Sequence, residues 1–135
     1  MTVTTLEAAL ATNSSPGFVS YSRADGDFAL KLAEDLKNGG ANIWLDQLDI
    51  EPGERWARAV QAALNAAPRV LVILSPTSVS STNLEDEVAF SLEKSKSIIP
   101  IFYQDCEVPF RLVPFQYVDF RTDYARGLHF DALRV

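Results

Sequence analysis

The 135-residue sequence lacks several features that would point to familiar classes of protein. Its single cysteine, Cys106, excludes an internal disulfide, and with a single histidine, His129, we expect no metal site. The longest apolar runs are about six residues, whereas a membrane-spanning helix needs roughly 20. The N-terminus also has no basic region of the kind that begins a signal peptide. These absences predict a reduced, cytoplasmic protein that does not enter a membrane.

Positive charge is scarce as well. The chain has 12 Lys and Arg residues against 18 Asp and Glu residues, which gives a formal net charge of −6. An acidic chain does not attract nucleic acid or an anionic membrane surface through its bulk charge, so we expect neither as a partner. Apolar residues make up 47% of the sequence, which is enough for one buried sheet in one domain.

Short apolar runs alternate with helical patterns along the chain, which is typical of βα units on a parallel sheet. The unbroken run 70–74 (VLVIL) predicts a central strand covered on both faces. Further strands are predicted at residues 18–21, 41–45, 98–103 and 117–120, although Pro100 removes one hydrogen-bond donor from the fourth strand. We therefore predict an α/β fold, a doubly wound sheet of about five parallel strands with helices on both faces.

The helical segments carry their own start and stop signals. Asp25 is predicted to cap the first helix, which Gly39 and Gly40 end. Residues 46–55 are predicted to form a polar loop, and Trp56 begins the buried stripe of the second helix. A third helix is predicted at residues 83–94 and a last one from Asp123 onward. We expect Trp44 to belong to the core, like Trp56.

Several stretches of the sequence together resemble the Toll/interleukin-1 receptor/resistance (TIR) family, especially its bacterial members. They are residues 18–22 (FVSYS), residues 43–46 (IWLD) with Gly53 seven positions later, residues 74–78 (LSPTS), Glu87 with Lys96 and residues 98–101 (IIPI), and residues 110–124 around QYVDFR. The resemblance covers roughly residues 17–134 in order. It implies a flavodoxin-like sheet, with residues 1–15 as a flexible leader and residues 16–135 as the TIR domain.

Glu87 is the residue to which the resemblance assigns catalysis. Leu84, Val88 and Leu92 define the buried stripe of its helix, and Glu87 lies at the margin of that stripe. By periodicity alone, Glu87 is a boundary residue like most acids on amphipathic helices. The resemblance instead aligns it with the family's catalytic glutamate, which contacts the nicotinamide-side ribose of NAD.

The resemblance also implies further site residues. Substrate-binding candidates are Phe18, Ser20, Arg23, Asp46, Glu51, Ser75 and Asn83. Arg23 has an alternative as a surface residue paired with Asp25 or Asp27. Asn83 stands where active members often carry a tryptophan, and it is alternatively a helix N-cap. Four residues belong to the BB loop, a family segment that packs against a neighbouring TIR domain: Asp49, Ile50, Pro52 and Gly53. For Asp49, simple solvation is the alternative.

The function implied by the resemblance is cleavage of NAD to nicotinamide and ADP-ribose or a cyclic variant. NAD is then the substrate, and no resident cofactor is expected. Self-assembly with other TIR domains would activate the enzyme, in bacterial anti-phage defence. Because the last predicted helix stops at Val135, we expect the domain to be cut from a longer protein with a C-terminal sensor or oligomerisation domain.

Two alternatives belong to other classes of protein. The first is a TIR scaffold without catalysis, which signals through homotypic contacts. The second is a two-component receiver domain, which needs a phosphoacceptor aspartate at the end of the central strand. Ser75 stands at that position and argues against a receiver.

Overall fold

The computed structural model of the chain describes residues 15–121. Its strands are β1 (Gly17–Ser20), β2 (Ile43–Trp44), β3 (Arg69–Leu74), β4 (Ser97–Phe102) and β5 (Val118–Asp119). Its α-helices are α1 (Gly26–Asn38), α2 (Asp46–Asp49), α3 (Trp56–Ala66) and α4 (Thr82–Glu93). Short 3-10 turns at Arg23–Asp25, Ser78–Ser80 and Phe110–Leu112 complete the regular structure of these residues.

The five strands form one parallel sheet in the order β2-β1-β3-β4-β5. This order is that of flavodoxin-like doubly wound sheets, in which the strand order reverses between β1 and β3. The predicted fold class is therefore confirmed. The central position of the 70–74 run is confirmed as well, since β3 pairs with β1 on one side and with β4 on the other.

The core has two layers because successive residues of a strand point to opposite faces of the sheet. On one face, Leu71 and Ile73 pack in a cluster with Leu32 and Leu36 of α1. On the other face, the alternate residues of β3 pack with Leu64 of α3 and with Leu84 and Val88 of α4. Helices thus cover both faces of the sheet, and α3 and α4 lie on the same face.

Pro100 lies inside β4, between two neighbouring strands. The pairing of β5 with β4 begins only at Ile101, so Pro100 has no partner residue on that side. The missing N–H group therefore does not interrupt the β4–β5 ladder. On the other side Pro100 is paired with Val72 of β3, and the predicted strand runs through it.

Asp25 does not cap α1, and that prediction is wrong. It occupies the N-cap position, but its side chain makes no capping hydrogen bond. The carboxylate is buried instead and accepts hydrogen bonds from the hydroxyls of Ser22 and Ser75. The other end of the helix is as predicted, since Gly40 has a φ of +94°, a conformation that favours glycine.

The predicted polar loop at residues 46–55 is partly helical. Its first residues form α2, a single turn of helix. Asp49 accepts a 2.7 Å hydrogen bond from the backbone N–H of Leu45 and pairs with Lys37 of α1 at 2.7 Å. Asp49 is therefore a structural anchor of this segment, which contradicts its reading as a merely solvated acid.

Trp56 is not part of the core, although the sequence periodicity predicted it. Its side chain is 56% exposed, and within α3 Leu64 is the buried residue. The first turn of α3 projects over a cleft rather than over the sheet, as the cleft contacts of Trp56 and Val60 show. Trp44 is half-buried and stacks on Phe18, with ring centroids 5.5 Å apart.

The predicted helix from Asp123 onward, His129 and nearly all of the predicted leader lie outside the described residues. Within residues 15–121, no helix combines the length and apolar character that crossing a bilayer requires.

Candidate functional site

A cleft of about 630 Å³ opens at the carboxyl ends of β1 and β2. The segments after these two strands form one wall, and the first turns of α3 and α4 form the other. Because α4 follows β3, the cleft includes the position between β1 and β3 where the strand order reverses, at which doubly wound sheets bind ligands. Five of the residues predicted from the sequence line the cleft: Phe18, Arg23, Asp46, Asn83 and Glu87.

Glu87 reaches the cleft from α4. Ser81 caps this helix through a 3.3 Å hydrogen bond from the N–H of Leu84 to its hydroxyl, and Leu84 and Val88 bury one face of the helix. These contacts turn Glu87 toward β1, where Ser20 donates a 2.6 Å hydrogen bond to its Oε1 atom. The carboxylate is half-buried, with one oxygen held by a strand of the sheet.

The environment of Glu87 raises the pKa of its carboxyl group. Burial is the largest cause, since a charged group loses hydration in the cleft. The hydrogen bond from Ser20 acts in the opposite direction, and the negative charges of Asp46 and Asp86 raise the pKa further. A carboxylate in such surroundings interacts more strongly with a cationic ligand than a fully hydrated one does.

Asp46 is held in the cleft by two residues that the sequence analysis missed. Tyr21 donates a 2.5 Å hydrogen bond to Oδ1 of Asp46, and Gln47 donates 3.0 Å bonds to the Tyr21 hydroxyl and to the carbonyl of Gly26. Burial and the bond to Asp46 raise the pKa of Tyr21, so its phenol stays protonated and remains a donor. A tyrosine just after β1 and a polar residue just after β2 are the signals that could have found this network.

Arg23 lies at the rim of the cleft and is exposed. Within residues 15–121 it forms no ion pair, so the predicted alternative of a pair with Asp25 or Asp27 is wrong. Asp25 does not pair with Arg23 because its carboxylate faces inward and accepts hydrogen bonds from Ser22 and Ser75. The guanidinium of Arg23 thus remains available to an anionic ligand.

Three other predicted binding residues do not line the cleft. Ser20 is 1% exposed and is linked to the cleft only through Glu87. Ser75 is fully buried, and its hydroxyl donates to Asp25. Glu51 is exposed beyond α2, and its N–H bonds the carboxylate of Glu54 at 2.6 Å.

Asn83 is exposed at the second position of α4 and faces the cleft. Its alternative role as the N-cap is wrong, because Ser81 is the capping residue. In the loop after α2, Pro52 and Gly53 are exposed and Ile50 is half-buried. Gly53 has a φ of +90°, which a side chain would strain.

Cys106 is half-buried near the end of the sheet. Burial raises the pKa of its thiol, which favours the protonated form. No cluster of metal-binding side chains occurs among the residues that the structure describes.

The family model that matches this sequence is that of the TIR domain, over residues 18–133. The chain belongs to the TIR domain family. A receiver domain is therefore the wrong interpretation of its doubly wound sheet, and the predicted family resemblance is confirmed.

Similar proteins include bacterial TIR domains. The uncharacterized protein y4cD of Sinorhizobium fredii is 29% identical over 120 residues, which are 82% of this TIR domain chain and 18% of that protein. The 2′ cyclic ADP-D-ribose synthase BtTIR of Bacteroides thetaiotaomicron is 30% identical over 92 residues, 64% of this chain and 32% of the relative. The NAD(+) hydrolase PdTIR of Paracoccus denitrificans is 29% identical over 92 residues, which are 64% of this chain and 31% of that protein. This chain thus spans about a third or less of each relative.

Among solved structures, this TIR domain resembles the TIR domain of the Toll-related receptor TRR-2 from Hydra magnipapillata. The TM-score is 0.69 at 26% sequence identity, and the match covers 83% of this chain and 89% of the other. The likeness extends over most of both molecules, which supports the same five-stranded plan.

Proposed function

We propose that this TIR domain cleaves the bond between nicotinamide and ribose in NAD. The observation that carries the proposal is the half-buried carboxylate of Glu87, which Ser20 holds in a cleft of about 630 Å³. That volume lies within the roughly 300–1,000 Å³ typical of small-molecule sites. Relatives named as an NAD hydrolase and as 2′ cyclic ADP-D-ribose synthases support it.

The role of Glu87 in this reaction follows from charge. As the bond between C1′ and the pyridinium nitrogen breaks, its electron pair neutralises the ring and positive charge develops on the ribose. A fixed carboxylate at the ribose stabilises this charge more in the transition state than in the ground state. Nicotinamide is a good leaving group, so one carboxylate suffices. Ser20 positions Glu87 by donating to one of its oxygens, which leaves the other for the substrate.

The reaction is completed by an oxygen nucleophile. When water forms the new bond to C1′, it releases one proton to solvent and the product is ADP-ribose. When a hydroxyl of the same ADP-ribosyl group forms that bond in place of water, it loses its own proton and the product is cyclic. Arg23 at the rim would face the pyrophosphate, and Asp46 and Asn83 would contact the nucleoside. In both cases NAD is a substrate and no resident cofactor takes part.

The proposal includes activation by self-assembly. Pro52 and Gly53 form an exposed turn beyond the anchor at Asp49, as a contact with a neighbouring TIR domain requires. The remaining parts rest on the family alone: a cytoplasmic role in anti-phage defence and a C-terminal sensor or oligomerisation domain.

The test is release of nicotinamide from NAD by dilute, concentrated and artificially clustered protein, with chromatographic analysis of both products. We expect turnover that rises with clustering, and a loss of at least about 100-fold in Glu87→Ala. Glu85→Ala is the matched control, because Glu85 is exposed on the same helix and does not line the cleft. Absence of turnover in every clustered state, or equal turnover in Glu87→Ala, refutes the proposal.

A non-catalytic scaffold is the second candidate, and one observation favours it. Asn83 faces the cleft where active family members often place a tryptophan. A scaffold would associate with other copies and leave NAD intact at all concentrations. Both functions include self-association, so nicotinamide release must be measured at concentrations at which sedimentation shows the protein to be assembled. Assembled protein that releases no nicotinamide is a scaffold, and assembled protein that releases it is an enzyme.

A further inference from the structure

One tryptophan of this chain lies in the cleft with most of its surface uncovered. Trp56 begins α3 and is 56% exposed, and it lines the same cleft as Glu87 and Asn83. Isolated apolar residues are common on protein surfaces, but this one lies inside a concave site lined by charged and polar groups. Val60, one turn later in α3, extends the apolar surface into the cleft.

The other aromatic residues near the cleft are already occupied. Phe18 is 2% exposed and stacks on Trp44. Tyr103 stacks on Phe28 with ring centroids 4.1 Å apart. The hydroxyl of Tyr21 is engaged by Asp46. Phe18 is buried, and Tyr21 is half-buried against the core. Among the described residues that line the cleft, Trp56 is therefore the aromatic residue whose side chain is exposed.

The positions of Trp56 and Glu87 suit the two parts of one substrate. They reach the same cleft from different helices, α3 and α4, as simultaneous contact with a ring and with the sugar attached to it requires. Asn83, in the first turn of α4, supplies no aromatic surface. An indole face attracts a flat cation through its π-electrons as well as by apolar contact.

We infer that Trp56 is the surface on which the nicotinamide ring of NAD stacks while Glu87 faces the attached ribose. This inference rests on the proposed function, because it concerns how the same site holds its substrate. The pyridinium ring is positively charged before the bond breaks and neutral afterwards. The attraction to the indole is thus stronger in the ground state than in the transition state, so loss of the indole should weaken substrate binding and raise KM without lowering kcat.

Tryptophan fluorescence tests the stacking directly, because the chain has only two tryptophans. Trp44→Phe leaves Trp56 as the emitter, and Trp56→Phe leaves Trp44. In the clustered protein, we expect NAD to quench Trp56 saturably, at concentrations that match KM, while ADP-ribose, which lacks the ring, quenches it much less. Trp44 serves as the internal control and responds to neither. Quenching of Trp56 that is linear in NAD, or equal quenching by ADP-ribose, overturns the inference.

Kinetics provide the second readout. Trp56→Ala should raise KM for NAD by about 2- to 30-fold, the range given by cation–π attraction, with kcat unchanged or raised. Trp56→Phe should recover most of the loss. Leu48→Ala is the matched control, since Leu48 is also an exposed apolar residue and does not line the cleft. An unchanged KM in Trp56→Ala overturns the inference.

The two proposals fail separately. If the wild-type protein never releases nicotinamide, the enzymatic proposal is refuted, and saturable quenching of Trp56 by NAD would still support the stacking site. If turnover depends on Glu87 and Trp56→Ala leaves KM unchanged, the stacking inference alone is refuted.

Discussion

Asp25 and Glu87 are both acids placed near the carboxyl end of the sheet, and each accepts a hydrogen bond from a serine hydroxyl. Their surroundings differ. Asp25 is 4% exposed and accepts from two serines, so its partners are all internal. Glu87 has one serine partner and an oxygen that faces a cleft. A hydrogen bond between an acid and a serine thus joins buried segments at Asp25, whereas at Glu87 it leaves one carboxylate oxygen available to a ligand.

The largest effect on stability is expected at Asp25. Asp25→Ala removes the acceptor of two buried hydroxyls, and an unsatisfied buried polar group costs about 1–3 kcal/mol. We therefore expect the free energy of unfolding to fall by about that amount, measured by denaturant titration. Asp27→Ala is the control because Asp27 is exposed. If the two variants are equally stable, Asp25 does not join buried segments in the way described.

The opposite result is expected for Glu87→Gln. Burial raises the pKa of Glu87, which means that the folded state disfavours the ionised carboxylate relative to the unfolded state. Above the unfolded-state pKa this lowers the stability of the wild type, so Glu87→Gln should be more stable at neutral pH, by roughly 0.5–2 kcal/mol. As the pH falls below the ordinary pKa of a glutamate, both states are protonated and the difference should vanish.

Thermal unfolding of Glu87→Gln at neutral and acidic pH measures this difference. Glu85→Gln, on the exposed side of α4, should leave stability unchanged at both values. If Glu87→Gln is less stable than the wild type at neutral pH, the ionised carboxylate of Glu87 does not destabilise the folded state as described.

A smaller effect is expected at Ser20. The hydrogen bond from Ser20 lowers the pKa of Glu87, so Ser20→Ala should raise that pKa further. Because the proposed reaction needs the ionised carboxylate, the acidic limb of the pH–rate profile should move to higher pH, while the rate on the alkaline side is largely retained. Steady-state turnover of NAD across pH measures the shift.

Ser91→Ala is a close control for Ser20→Ala. The hydroxyl of Ser91 also bonds Glu87, at 2.7 Å, but to its backbone carbonyl rather than its carboxylate. Its pH–rate profile should keep the wild-type limb. A profile that moves equally in both variants would mean that loosening α4, rather than losing the bond to the carboxylate, causes the shift.

The sequence predicted those features that depend on periodicity within a single element. The run at 70–74 is the buried centre of the sheet, and Glu87 lies at the margin of the buried stripe on α4. Trp56 shows where such reasoning fails. A four-residue repeat indicates which side of a helix faces the domain, but not whether the sheet or a cleft lies beneath its first turn.

Contacts between distant segments were the other source of error. Asp25 looks like a helix cap in sequence, but its carboxylate faces inward to Ser22 and to Ser75, which is 50 residues away. The bond between Tyr21 and Asp46 likewise joins two strand ends that are 25 residues apart. These positions could not be assigned from local patterns because their partners are set by strand order.

The anchoring of Asp49 has a consequence for how the segment after β2 can change. Lys37 and the backbone of Leu45 fix one end of this segment to the body of the domain, on the side that carries Asp46. The turn at Pro52 and Gly53 lies beyond that fixed point. Substitutions in this turn can therefore change which neighbour it fits without moving Asp46 in the cleft.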